Sequence, residues 1–318
     1  MQGLDIKIYL VLFFVQVLFG MNFVTSKYVL SEMPAWDLAF VRFFVSGLGL
    51  FALAFVVQLK EQRQREEQNR FLQAGKSLVL APRDLLSALV LGLLSFALSQ
   101  TLFLQGLALS SAANAAILMT TIPLLAYLVA LTRGLRQLER QSLAGFFLAF
   151  LGVLALQQDS VRAFEWGAFW GDGLVLLGAL GTAIFISYSK DFFSRVPTLL
   201  GTAYLFTLGS LGLIPALLWR VESLRWGTVF LSDFSLSAAL VFTVFGATLL
   251  PYGLSHWVVK KISAEYMALF IFIQPLVASL LGWFFLEETL KLKLLFSAVL
   301  VGLGLWLVGL KEGRNRKT

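Results

Sequence analysis

Apolar residues in this chain rarely alternate with polar ones on a helical or strand period; they continue for twenty residues or so before a polar break. A stretch that is apolar on every side is buried in a large core or in lipid, and a membrane-spanning helix needs about 20 such residues. Ten stretches meet or approach that length: 6–30, 34–58, 85–107, 112–132, 142–156, 169–189, 198–219, 236–259, 264–286 and 294–310. Short links between them use up nearly all of the 318 residues, which predicts an all-α integral membrane protein of ten transmembrane helices with no sizeable soluble domain. The fifth stretch is short, and Gly145 and Gly152 let it lie close against a neighbour. The first is longer than a signal-peptide core and is followed by no small-residue cleavage site, so it reads as a retained helix.

A small motif occurs twice. Ser111, Ala112, Ala116 and Pro123 recur 152 positions later as Ser263, Ala264, Ala268 and Pro275. The register continues through Leu124/Leu276, Ala126/Ala278 and Leu128/Leu280 to Gly152/Gly304, the pattern of an internal duplication. It divides the chain into a five-helix repeat over 1–158, including a hydrophilic connection at 59–84, and a second over 159–318.

Charge then orients the spans. With the N-terminus cytoplasmic, eighteen of the 25 Lys and Arg residues fall in cytoplasmic segments and five on the other side, while Lys27 and Arg42 lie within spans. An excess of that size in short loops sets orientation and puts both termini in the cytoplasm. Because each repeat has an odd number of spans, the fourth helix runs inward and the ninth outward, so the repeats are inverted. Two inverted repeats are the architecture of transporters in which one half rocks against the other around a site near the bilayer midplane.

The remaining composition narrows the chemistry. A hydrophobic share of 58% against 14% charged residues excludes an ordinary soluble domain. Zero cysteines exclude disulfides and thiolate chemistry, and the single histidine, His256, excludes a His-rich metal site, so no metal or cofactor is expected. The net charge of +7 belongs to loops flanking apolar spans, which points to lipid rather than nucleic acid. The connection at 59–84 mixes both signs and reads as a solvated loop or a short helix on anionic lipid.

The motifs resemble the EamA family of the drug/metabolite transporter superfamily over essentially the whole chain. The first span carries Phe19-Gly20-Met21-Asn22-Phe23, similar to the family's aromatic-Gly-x-Asn-Phe opening with Phe19 where Trp is usual. The second carries Phe40-Val41-Arg42-Phe43, and the last two carry Pro275, Leu286-Glu287-Glu288 and Gly302-Leu303-Gly304. Glu287 replaces the usual Gly, and Arg136 stands opposite Glu288 in the first repeat, with Glu139 as a displaced equivalent. The resemblance implies export or exchange of small organic metabolites, very often amino acids or related compounds, across a bacterial inner membrane. A nucleotide-sugar or phosphorylated-metabolite exchanger is the alternative within transporters; an integral-membrane lipid-modifying enzyme is the alternative outside them. Monomer and homodimer both remain open.

Candidate pathway residues follow from polarity at depth. Pro123 and Pro275 fall near the centres of their spans, where proline removes a backbone hydrogen bond and kinks a helix; in lipid the freed groups need cover from protein or a water-filled cavity. Gln274 adds a donor and an acceptor beside Pro275. Asn22, Thr25 and Ser26 share one face of the first helix, with Asn22 the pathway candidate and the other two read as interhelical contacts. Arg42, about eight residues into the second span, needs a partner: an ion pair with Asp37 or Asp172, a gate, or a substrate carboxylate. Gln100, Tyr204 and Trp283 complete the candidate pocket walls. Lys27 is placed to snorkel to the external end, and His256 to pack at the cytoplasmic interface.

Overall fold

The structure, a computed structural model, describes residues 6–64, 78–135, 140–156, 166–219, 233–259 and 270–286, with 296, 299, 300, 303 and 304. All regular structure among these residues is helical. Seven helices are long and apolar enough to cross a membrane, and two shorter apolar helices cover 143–152 and 273–285. The protein is a multi-pass integral membrane protein. Leu10, Phe13, Phe14, Leu48, Leu53 and Val56 face outward, as side chains solvated by lipid tails do.

The first span is α1 (Ile6–Val29) and the second α2 (Ala35–Gln64). The third is composite: α3 (Pro82–Gly92), a π-helical segment π1 (Leu93–Ser99) and α4 (Gln100–Leu109). The fourth is split into α5 (Ala112–Met119) and α6 (Ile122–Thr132). Then come α7 (Arg140–Leu156), α8 (Trp166–Phe193), α9 (Thr198–Leu211) and the short α10 (Ile214–Trp219). The eighth span repeats the composite plan with α11 (Phe234–Val241), π2 (Phe242–Leu249) and α12 (Leu250–Val259). A 3₁₀ turn at Phe270–Phe272 leads into α13 (Ile273–Leu286). Most of the tenth stretch lies outside the described residues.

Sequence reasoning puts a helix break at Pro123, and the fourth stretch is interrupted just before that residue. Thr120 and Thr121 form turns, and Pro123 sits in the first turn of α6. A first-turn N–H has no intrahelical partner, so proline costs nothing there. The hydroxyls of Thr120 and Thr121 donate to the Ile117 and Leu118 carbonyls at 2.6 and 2.7 Å, satisfying backbone groups that lipid could not. In α13 Pro275 likewise sits in the first turn, and the 3₁₀ turn ends immediately before that helix.

The two halves of the chain interlock. The third span packs against α8 and α9 of the second half, and the eighth packs against α1 and α2 of the first. At these crossings helices touch backbone to backbone. A methyl added at Gly92 would lie 2.7 Å from the Leu205 carbonyl oxygen, and one at Gly106 would lie 2.5 Å from that of Gly171. Small residues allow this approach, which supplies the dispersion contacts that hold helices together in lipid. The buried core accordingly falls into two clusters, one around Phe23, Phe103, Leu104 and the α5 alanines, the other around Phe43, Phe96 and Phe206.

Candidate functional site

A buried polar region lies where α1 and α2 pack on π2, between the two halves, and α13 packs on α1 beside it. Arg42 is its only buried cation among the described residues, 3% exposed. Its Nε donates to Thr248 Oγ1 at 2.5 Å, and its guanidinium carbon lies 5.2 Å from the centre of the Phe43 ring. One turn along α2, Ser46 donates to the Val244 carbonyl at 2.9 Å. Gly49 faces Leu249, so α2 and π2 run side by side in the same direction. Arg42 therefore reaches past Val244 to Thr248 and carries its charge toward the middle of the span, away from the nearer helix end. Thr248 Oγ1 in turn donates to the Thr243 carbonyl five residues back, which fixes the hydroxyl as an acceptor for Arg42.

Five rings surround this polar line. Phe43 lies 5.0 Å from Phe96 and 5.1 Å from Phe206; Phe206 lies 4.8 Å from Tyr252, and Tyr252 5.6 Å from Phe19. Tyr252 is also within electrostatic reach of Arg42. Such a collar keeps the local dielectric low, so any charge pairing inside it is stronger than in water, and an uncompensated charge costs several kcal/mol. No acidic side chain among the described residues forms an ion pair with Arg42. Asp37 is buried on the same helix but does not pair with it, and Asp172 accepts instead from Ser110 Oγ.

A second polar contact lies in the same interface. Gln274 Nε2 donates to Gln16 Oε1 at 2.6 Å, joining α13 to α1 beside Pro275. Gly20 makes the approach possible: a methyl there would lie 2.6 Å from Val277 Cβ. Asn22 Oδ1 accepts from Ser26 Oγ at 3.0 Å within α1, and Thr243 Oγ1 donates to Thr25 Oγ1 at 3.3 Å, linking α1 to π2.

Arg42 and Gln274 each bond across the interface between the halves, Asn22 is buried on α1 with Ser26 as its partner, and the other candidates lie elsewhere. Gln100 is buried in the third span, directly after π1. Tyr204 donates to the Leu78 carbonyl at 3.0 Å and packs on Phe51, which pins the segment leading into α3. Trp283 is 52% exposed, in a row with the exposed Phe284 and Phe285. Pro123 and Pro275 sit in the first turns of α6 and α13. Lys27 does not snorkel: Nζ donates to the Leu107, Ala108 and Ser110 carbonyls and so caps the C-terminal end of α4. Glu139, Arg136, Glu287, Glu288 and the Ser263–Ala268 copy of the repeated motif lie outside the described residues, as does the side chain of His256.

Two members of the site escape sequence reasoning. Gln16 carries a usable signal, because a glutamine in the middle of an apolar span needs a hydrogen-bonding partner. Thr248 carries none, since a threonine in a helix ordinarily satisfies its hydroxyl on its own backbone.

The two ends of the bundle are also pinned. At one, Lys27, Ser110 and Asp172 form a chain, and Tyr28 donates to Asp233 at 3.2 Å. At the other, Arg133 bridges Asp191 at 3.1 Å and Arg195 bridges Asp84 at 2.9 Å. At the first end α5 packs on α13 through Ala112, Ala115, Ala116 and Ala278, all buried. Beyond the Thr120–Thr121 interruption, α6 packs chiefly on α8, and from Leu124 onward its side chains are only half-buried or exposed.

Comparison with known proteins places this arrangement. The EamA-like transporter family model matches residues 6–157 and again 169–310. An uncharacterized transporter of Archaeoglobus fulgidus is 22% identical over 95% of this chain and 98% of its own length. The uncharacterized transporter YyaM of Bacillus subtilis is 24% identical over 94% and 92%. A protein of known crystal structure shares the fold, with a TM-score of 0.69 at 16% identity, covering 97% of this chain and 98% of its own. These relatives are transporters, not enzymes, and the chain belongs to the EamA-like transporter family.

Proposed function

We propose that this protein is a secondary transporter that exports or exchanges small organic metabolites, amino acids or related compounds, by alternating access in a bacterial inner membrane. In this reading ten spans form two inverted five-helix repeats, 1–158 and 159–318, with both termini cytoplasmic.

The observation that supports the reading is the set of buried polar contacts between the halves: Arg42 and Ser46 of α2 bond to π2, and Gln16 of α1 bonds to Gln274 of α13. At one end α5 packs on α13, while past Thr120 and Thr121 the side chains of α6 are half-buried or exposed. Two halves with polar groups buried between them can rock against one another around that site. Arg42, the single buried cation among the described residues, favours organic acids over the nucleotide-sugar and phosphorylated-metabolite alternative, which calls for a richer cationic site.

Counterflow in proteoliposomes tests it, with a panel of amino acids and organic acids and the pH gradient present or collapsed. Saturable exchange of at least one compound is expected, and the gradient reports the coupling. Movement of none of the panel, alongside saturable exchange of phosphorylated compounds, would transfer the protein to the alternative class.

A further inference from the structure

Arg42 is held but not neutralised. The Nε edge of its guanidinium is committed to Thr248, whose own proton is committed to the Thr243 carbonyl, so the orientation of the group is fixed. Nη1 is fully buried and has no hydrogen-bond partner among the described residues. What remains is the Nη1–Nη2 edge, a planar fork of donors whose spacing matches the two oxygens of a carboxylate.

We propose that this edge of Arg42 is the receptor for one carboxylate group on the transported molecule, whose remaining body is apolar. The proposal deepens the transporter reading and rests on it. The charge count sets the ligand class. Lys27, the other cation within a span, is bound to three carbonyls at the end of α4 and does not contribute to the site. One positive charge matches a monoanion, whereas a phosphate monoester carries about two negative charges at neutral pH. The surroundings set the body: Phe19, Phe43, Phe206 and Tyr252 offer ring surface and few polar partners.

The same geometry links binding to movement. Arg42 belongs to the first half of the chain, and Thr248 and Tyr252 to the second. An anion seated on Arg42 removes the cost of a buried unpaired charge only while these parts stay together, so it stabilises one arrangement of the halves over another. Such differential stabilisation is what a substrate must supply to shift a conformational equilibrium.

Matched pairs of ligands test the inference on the protein purified in detergent for melting and reconstituted into liposomes for counterflow: phenylacetate against phenylacetamide, 4-methylpentanoate against 4-methylpentanamide, and inorganic phosphate. Thermal midpoint and competition in counterflow are the readouts. The acids are expected to raise the midpoint and compete, with the amides at least tenfold weaker. Arg42→Lys, which keeps the charge and loses the fork, is expected to weaken the acids at least tenfold.

Equal action of acids and amides, no action by either, unchanged acid binding in Arg42→Lys, or a response to phosphate alone would each overturn it. If Arg42→Lys does not yield folded protein, the acid–amide comparison on the unsubstituted protein decides by itself. Transport indifferent to the carboxylate would sink the inference and leave the transporter reading standing. Stabilisation by acids without movement would do the reverse.

Discussion

The segments π1 and π2 occupy the same place in the two halves, 149 to 150 positions apart, and do different things there. In each, the backbone bonds five residues back, Gln100 to Ser95 and Leu250 to Phe245. In π2 a cause is visible: Pro251, the second residue after it, cannot donate and would clash with a tightly wound preceding turn. No proline adjoins π1, and nothing else in the structure accounts for its winding.

Their partners differ more than their causes. Ser99 of π1 donates to the Gly178 carbonyl at 2.6 Å and lies 2.9 Å from Thr182 Oγ1, while the neighbouring Gly92 abuts Gly209. π2 faces Arg42 and Ser46. The two segments thus share a backbone irregularity while one serves as a packing surface and the other as a support for charge. A shared winding of the backbone does not bring shared chemistry with it.

Bulk and polarity separate the two roles. The largest effect is expected for Gly92→Leu beside π1. Backbone atoms on both helices leave no room there, and overpacking of this kind costs about 1–3 kcal/mol and sometimes more. Loss of a monodisperse, heat-stable species in detergent is the expected result, and a normal melting curve would mean that this crossing is not tightly packed. Next comes Thr248→Val in π2, which keeps the volume and strands the Nε of Arg42. A buried donor left without a partner costs about 1–3 kcal/mol, and acid-driven counterflow should fall with it. Retained stability with retained transport would remove Thr248 from the site. The smallest effect belongs to Ser99→Ala in π1, a loss of about 0.6–2 kcal/mol for interhelical hydrogen bonds in a membrane. Counterflow per folded molecule should stay unchanged; a selective transport defect would break the contrast between the segments.

The candidate site was partly legible. Arg42, Asn22 and Gln274 stand out because a polar side chain deep in an apolar span must find a partner; Arg42 and Gln274 find theirs in the other half, and Asn22 finds Ser26 on its own helix. Trp283 and Tyr204 were misleading for the same underlying reason. An aromatic ring is equally at home in a pocket wall, a packed core or lipid, so its position along a span does not say which way it faces. Lys27 looked like a snorkelling cation because the carbonyls it caps, 80 to 83 residues away, come near only in the folded bundle.

Most of the positions of the spans were determined by sequence alone, since lipid exposure demands apolar residues all round and that demand is local. The third span extends over Pro82–Leu109 where 85–107 was expected, and the eighth begins at Phe234 where 236 was expected. Proline also marked the interruption of the fourth stretch, because its missing donor is tolerated in the first turn of a helix. The choice of which polar groups meet belonged to tertiary structure. Thr248 and Arg42 are 206 residues apart, and Gln16 and Gln274 are 258 apart. Only the interlocking of the halves brings them within 3 Å, because helix-to-helix contact in lipid depends on where small residues let backbones approach, and that is a property of the pair rather than of either strand of sequence.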